Sequence, residues 1–115
     1  MTKRKTTVQI LKDARALLVE KGWCRFELET GSGSLCAIGA INMAATGKSD
    51  EWGKNAPYKV LAAAFGEKLP LYAGQIETDP IADWNNARKR TKRQVLAAFS
   101  RAIKAEEAKR ARATP

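Results

Sequence analysis

Ile10, Leu11, Ala14, Leu17 and Leu18 fall on one stripe of a 3.6-residue period, with Gln9, Lys12, Asp13 and Glu20 opposite. The spacing predicts a first helix running to about Lys21. Thr6 or Thr7 offers the cap oxygen, and Gly22 is placed to end the helix in a left-handed conformation. The pattern then changes period. In "WCRFELET" Trp23, Arg25, Glu27 and Glu29 alternate with Cys24, Phe26 and Leu28, which predicts a short strand or extended arm closed by a "GSGS" turn. Residues 35–45 are apolar nearly all round and rich in Gly and Ala. Such a helix, capped by Ser34 and stopped by Gly47, belongs in the centre of a fold.

A polar loop leads to "APYKVLAAAFG", where Pro57 suits a first helical turn, Val60, Leu61, Ala64 and Phe65 form the stripe, and Gly66 is the stop. Residues 67–78 read as irregular. Asp79 followed by Pro80 then opens a short helix, "IADWNN", with Ile81 and Trp84 on one face. Thr91 caps a last helix whose stripe is Val95, Leu96, Phe99, Ala102 and Ile103 and whose back carries Arg93, Arg101 and Lys104. The expected fold is mainly α, a compact bundle of about five helices with a short β-like arm or hairpin after the first. Residues 7–105 form one domain, between a basic tail at 1–6 and a basic, partly disordered tail at 106–115.

No run approaches the ~20 apolar residues of a membrane helix, and amphipathic sequence rather than a plain apolar segment follows the basic start. The expectation is therefore a cytoplasmic chain with reduced thiols and no membrane partner.

Charge sharpens this picture once it is divided along the chain. The net +9 splits into +3 over residues 1–6, −2 over residues 7–87 and +8 over residues 88–115. A near-neutral body with basic ends attracts polyanions. "NNARKRTKRQ", residues 85–94, concentrates the signal: Arg88, Lys89, Arg90, Lys92 and Arg93 flank the start of the last helix among Asn85, Asn86, Thr91 and Gln94. These types contact phosphates and base edges. Arg101 and Lys104 continue the face, and Lys3, Arg4 and Lys5 add to it. No aromatic is interleaved in the segment, so stacking on single strands is not indicated, and the spacing does not match a helix-turn-helix.

Other chemistry is sparse. The chain has no histidine, which removes His-based acid–base pairs and the commoner zinc sites. Cys24 and Cys36, twelve apart, do not form a C-x-x-C motif and read as core thiols, with a disulfide left open. Gly31, Ser32, Gly33 and Ser34 are a candidate anion-binding turn, though neither P-loop nor dinucleotide spacing is present. "TGKSD" at residues 46–50 lacks the leading glycine and the preceding strand of a P-loop. Glu27 with Glu29, and Asp79 with Asp83, are carboxylate pairs without a second constellation. We expect no catalysis, no metal and no cofactor.

Three landmarks resemble an uncharacterised family of small proteins found in bacteria and their phages: Gly22-Trp23-Cys24, then Cys36 with Gly39 and Ala40, then Ile81 with Trp84 and Asn85. Asn86 stands where that family often has Asp, which argues against a required carboxylate there. The resemblance covers most of residues 8–103. It implies a compact helical domain and a phage connection, and brings no activity. The leading functional expectation is a small non-enzymatic accessory protein that binds nucleic acid through its basic C-terminal helix. The alternative is a protein-interaction module, a phage factor that inhibits a host or defence protein, anchored by Trp52 or Tyr72. A small-nucleotide binder at the Gly-Ser turn is the third reading.

Overall fold

A computed structural model describes residues 5–50, 56–64 and 80–113. Five helices follow one another along these residues: α1 (Thr7–Lys21), α2 (Ala37–Thr46), α3 (Ala56–Ala64), α4 (Pro80–Asn86) and α5 (Lys92–Ala113). Gly66, the cap at Asp79 and the irregular stretch at 67–78 lie outside the described residues.

α2 is the centre. Ala37, Ile38, Gly39, Ala40, Ile41, Asn42 and Ala44 are all buried, as an apolar helix without a polar face requires. α1 packs on it through Leu11, Ala14 and Leu18, the stripe read from the sequence. α5 runs antiparallel to α1, with Lys12 paired to Glu107 at 3.4 Å near one end and Arg15 reaching Leu96 and Ser100 toward the other. Val95, Ala98, Phe99 and Ala102 fill the space between. α3 lies against α5 with Leu61 inward, and α4 adds Ile81 and Trp84 from the far side of α2.

Helix ends follow local chemistry in most places. Thr6 Oγ1 accepts from the Gln9 amide at 3.1 Å, and Gly47 closes α2 in the left-handed region. Thr91 and Gln94 form a reciprocal box at the start of α5, each side chain accepting from the other's amide at 3.2 and 3.0 Å.

Four details differ from the sequence reading. Gly22 ends α1 with φ 97° and ψ 164°, an extended positive-φ conformation rather than the left-handed helical one. It turns the chain so that its carbonyl accepts from the Leu35 amide at 2.9 Å. The cap of α2 is Cys36, not Ser34: the Cys36 Sγ accepts from the Gly39 amide at 3.3 Å, and α2 begins at Ala37. Ser34 is occupied elsewhere, its hydroxyl donating to the Lys21 carbonyl at 3.3 Å. α5 does not stop with its apolar stripe but continues to Ala113, with residues 107–112 exposed.

The fourth difference is the arm. Residues 23–30 form no strand; only isolated bridges join Trp23 and Glu29 to Leu35. Period-2 alternation needs a partner along its length, and here Phe26 at φ 68° breaks it. Its ring points outward while the flanking Cys24 and Leu28 pack on the core. The arm lies directly on α2, where a Cβ on Gly39 would come within 2.1 Å of the Leu28 carbonyl oxygen. Only glycine permits that approach.

Candidate nucleic-acid interface

α5 presents one face to the core and the adjoining face to a shallow groove against α1. Two adjoining recesses, about 570 and 460 Å³, make up this groove. Its cations are Arg15 from α1 and Lys92, Arg93, Arg101 and Lys104 from α5, over a floor of Leu96, Ala97 and Ile103. Among the described residues no carboxylate lines it. Arg15 bridges the two helices, its Nε donating to the Leu96 carbonyl at 3.2 Å and the Ser100 hydroxyl at 2.9 Å. The sequence reading missed Arg15. Its signal was a lone cation bordering the Leu11–Ala14–Leu18 stripe rather than opposite it.

The other cations read from sequence divide into exposed and engaged. Arg88, Lys89, Arg93 and Lys104 are exposed, and Lys92 is half-buried at the groove edge. Arg90 is not a surface cation. Its guanidinium stacks 3.8 Å from the Trp84 ring centroid and its Nε donates to the Trp84 carbonyl at 2.8 Å. It closes the C-terminal end of α4, where carbonyls lack intrahelical partners. Arg101 has a tether of the same kind, its Nε donating to the Ala64 carbonyl at the end of α3 at 3.3 Å. Lys5 is paired, 2.9 Å from Asp13 and bonded to the Ala44 carbonyl at 3.0 Å. The bond to Lys5 is the main reason the Asp13 carboxyl is held below its usual range. Lys3 and Arg4 lie outside the described residues, as do Trp52 and Tyr72.

Asn85 is a core residue rather than a ligand contact. It is 1% exposed, and its Oδ1 accepts from Trp23 Nε1 at 2.7 Å and from the Ala37 amide at 3.0 Å. Its Nδ2 donates to the Cys24 carbonyl at 3.1 Å and to Asn86 Oδ1 at 3.1 Å. One side chain thereby ties the arm, the start of α2 and the end of α4 together. Asn86 Oδ1 in turn accepts from the Phe26 amide at 2.8 Å. Arg25 lies 5.0 Å from the Trp23 ring centroid and donates to the Arg90 carbonyl.

The chain matches, over residues 2–105, the profile of a family of unknown function (DUF6197). It belongs to that family. No curated protein and no solved structure matches it. In this member of the family, Trp23, Cys24, Asn85 and the first turn of α2 meet at one node, so these residues build the fold.

The Gly-Ser turn ends two residues short of α2, and two of its amides are engaged within it: the Gly33 amide bonds to the Thr30 carbonyl at 2.9 Å, and the Ser34 amide to Thr30 Oγ1 at 3.0 Å. Ser32 Oγ lies 3.0 Å from Thr30 Oγ1. Cys24 and Cys36 are both thiols, with no disulfide between them. Burial, then the neighbouring Cys36 and the charges of Glu27 and Glu29, push the Cys24 thiol up to about 11. It is therefore protonated at neutral pH and a poor nucleophile. Among the described residues no group of three or more His, Cys, Asp or Glu side chains could hold a metal. No helix among them is long and apolar enough to cross a membrane.

Proposed function

We propose that this protein is a non-enzymatic nucleic-acid-binding accessory protein and that the α1–α5 groove is its phosphate-tracking surface. The observation that carries the reading is the lining of that groove, with five cations from two helices and, among the described residues, no carboxylate. Ordinary soluble surfaces intersperse both signs, and a one-sign groove concentrates field where a polyanion would lie. Arg88 and Lys89 extend the positive potential past the start of α5. Arg90 and Lys5, read from sequence as ligand contacts, have structural roles and are removed from the site. The reading keeps a cytoplasmic, phage-associated setting for the chain.

The test is fluorescence anisotropy with labelled duplex and single-stranded oligonucleotides across a salt series, comparing the wild type with an Arg93→Glu/Lys104→Glu variant. Both side chains are exposed, so the variant is expected to fold. Removing one cation–phosphate pair lowers the log–log salt slope by about one, and the double reversal is expected to weaken binding at least tenfold at about 0.1 M salt. Equal affinity and slope in the two proteins would reject the groove as the site.

A further inference from the structure

We propose that Phe26 is a stacking platform for an unpaired base, which makes single-stranded nucleic acid the ligand class. This inference rests on the nucleic-acid reading above. Phe26 is 77% exposed, and its φ of 68° is a conformation that a bulky residue rarely adopts. A single exposed phenylalanine is unremarkable on its own. A strained one that the fold holds outward by dedicated bonds is not, because strain of this kind persists only where the surroundings impose it. The imposing bonds are visible. The Phe26 amide donates to Asn86 Oδ1, which is itself held by Asn85, and the preceding residue, Arg25, is tied to the Arg90 carbonyl.

Those same bonds place the Phe26 backbone beside the segment that carries the cations. Phe26 is anchored to the last residue of α4, and Arg25 to the end of the turn at residues 87–90, whose Arg88 and Lys89 are exposed. Arg93, in the groove, follows three residues after Arg90. The basic segment contains no aromatic in its own sequence; the fold supplies one from 60 residues away. A recess of about 140 Å³ beside the ring is lined by Glu27, Leu28, Cys36, Ile38 and the two asparagines. Its floor is apolar, and the Glu27 carboxylate disfavours a phosphate there while accepting from an exocyclic amine. The arrangement therefore seats the base at the Phe26 end and runs the backbone toward Arg88, Lys89 and the groove. Duplex bases, already stacked on each other, cannot use the platform.

The experiment compares labelled single-stranded oligo(dT) and oligo(dC) with a duplex of equal length. The proteins are the wild type, Phe26→Ala, Phe26→Trp and the Arg93→Glu/Lys104→Glu variant. Circular dichroism verifies that each folds. Phe26→Ala is expected to weaken single-strand binding roughly 5- to 100-fold, the contribution of one base–aromatic stack. Its salt slope and its duplex affinity should stay unchanged, and Phe26→Trp should keep wild-type affinity. Single-strand affinity unchanged in Phe26→Ala, with weaker binding by the double charge reversal, would overturn the platform while leaving the groove standing. A wild type that binds no nucleic acid, or a double reversal without effect, would overturn the groove as well. Equal weakening for duplex and single strand in Phe26→Ala also counts against stacking.

Discussion

Asn85→Ala is the sharpest single perturbation of this fold. The side chain makes four hydrogen bonds, to Trp23 Nε1, the Ala37 amide, the Cys24 carbonyl and Asn86 Oδ1. At 1% exposure no water replaces it without opening the node. Alanine strands the buried Ala37 N–H fully, at about 1–3 kcal/mol. Trp23 and Cys24 are half-buried, so the bonds they forfeit contribute at the lower end of that range. The void left by the amide adds about 24 cal/mol per Å³ wherever the neighbours fail to close in. Together these come to about 3–5 kcal/mol, a large part of the roughly 5–15 kcal/mol that a domain of this size holds. Trp23→Phe removes one donor while Asn85 Oδ1 keeps the Ala37 amide, and should cost only about 1 kcal/mol. Urea unfolding followed by far-UV circular dichroism measures both. A cost below about 1 kcal/mol for Asn85→Ala, with the m-value unchanged, would refute the claim that this side chain joins the arm, α2 and α4. Equal costs for the two variants would assign the whole effect to the tryptophan bond.

Two further outcomes are expected. Gly39→Ala places a methyl 2.1 Å from the Leu28 carbonyl oxygen, so the arm must lift from α2 and the Cys36 amide must give up its bond to that oxygen. A cost of several kcal/mol, on the scale of other core overpacking, follows in the same urea assay, and a cost under ~1 kcal/mol would contradict the close approach. Cys24, with its thiol pushed up to about 11 from an ordinary value of 9.0, should react with a disulfide reagent at about pH 8 about 100-fold more slowly in the native protein than in urea. The unfolded chain ionises first, so the contribution of Cys24 to stability is intact below about pH 9 and falls as pH rises from there toward about 11. Cys24→Ala should lose that alkaline decline, and a wild-type profile identical to the variant's would reject the burial of the thiol.

Helices were the legible part of this chain because their information is local. The α1 stripe, the Thr6 cap, the apolar α2 with its Gly47 stop and the Thr91–Gln94 box each depend on residues within two turns of one another. The arm was not legible for the opposite reason. Its shape is set by Asn85 and Asn86, about 60 positions away, which take the Trp23 and Phe26 donors. Alternation in "WCRFELET" put Phe26 on the inner side with Cys24 and Leu28. A single positive φ reverses that side chain, and no local pattern encodes it.

The basic segment shows a different kind of ambiguity. A phosphate and the carbonyl end of a helix offer a guanidinium the same thing, clustered oxygen acceptors with net negative potential. Arg90 bonds to the end of α4 and Arg101 to the end of α3, and composition alone cannot separate such uses from ligand contacts. The separation comes from the reach of each side chain in the folded protein. Arg90 can fold back over Trp84, six residues earlier, because the turn at 87–90 reverses the chain there. Arg93 and Lys104 are exposed and make no side-chain hydrogen bond or ion pair among the described residues. Their exposure beside a groove that no carboxylate lines among the described residues is therefore the stronger sign of a ligand, and fewer cations make the better-supported site.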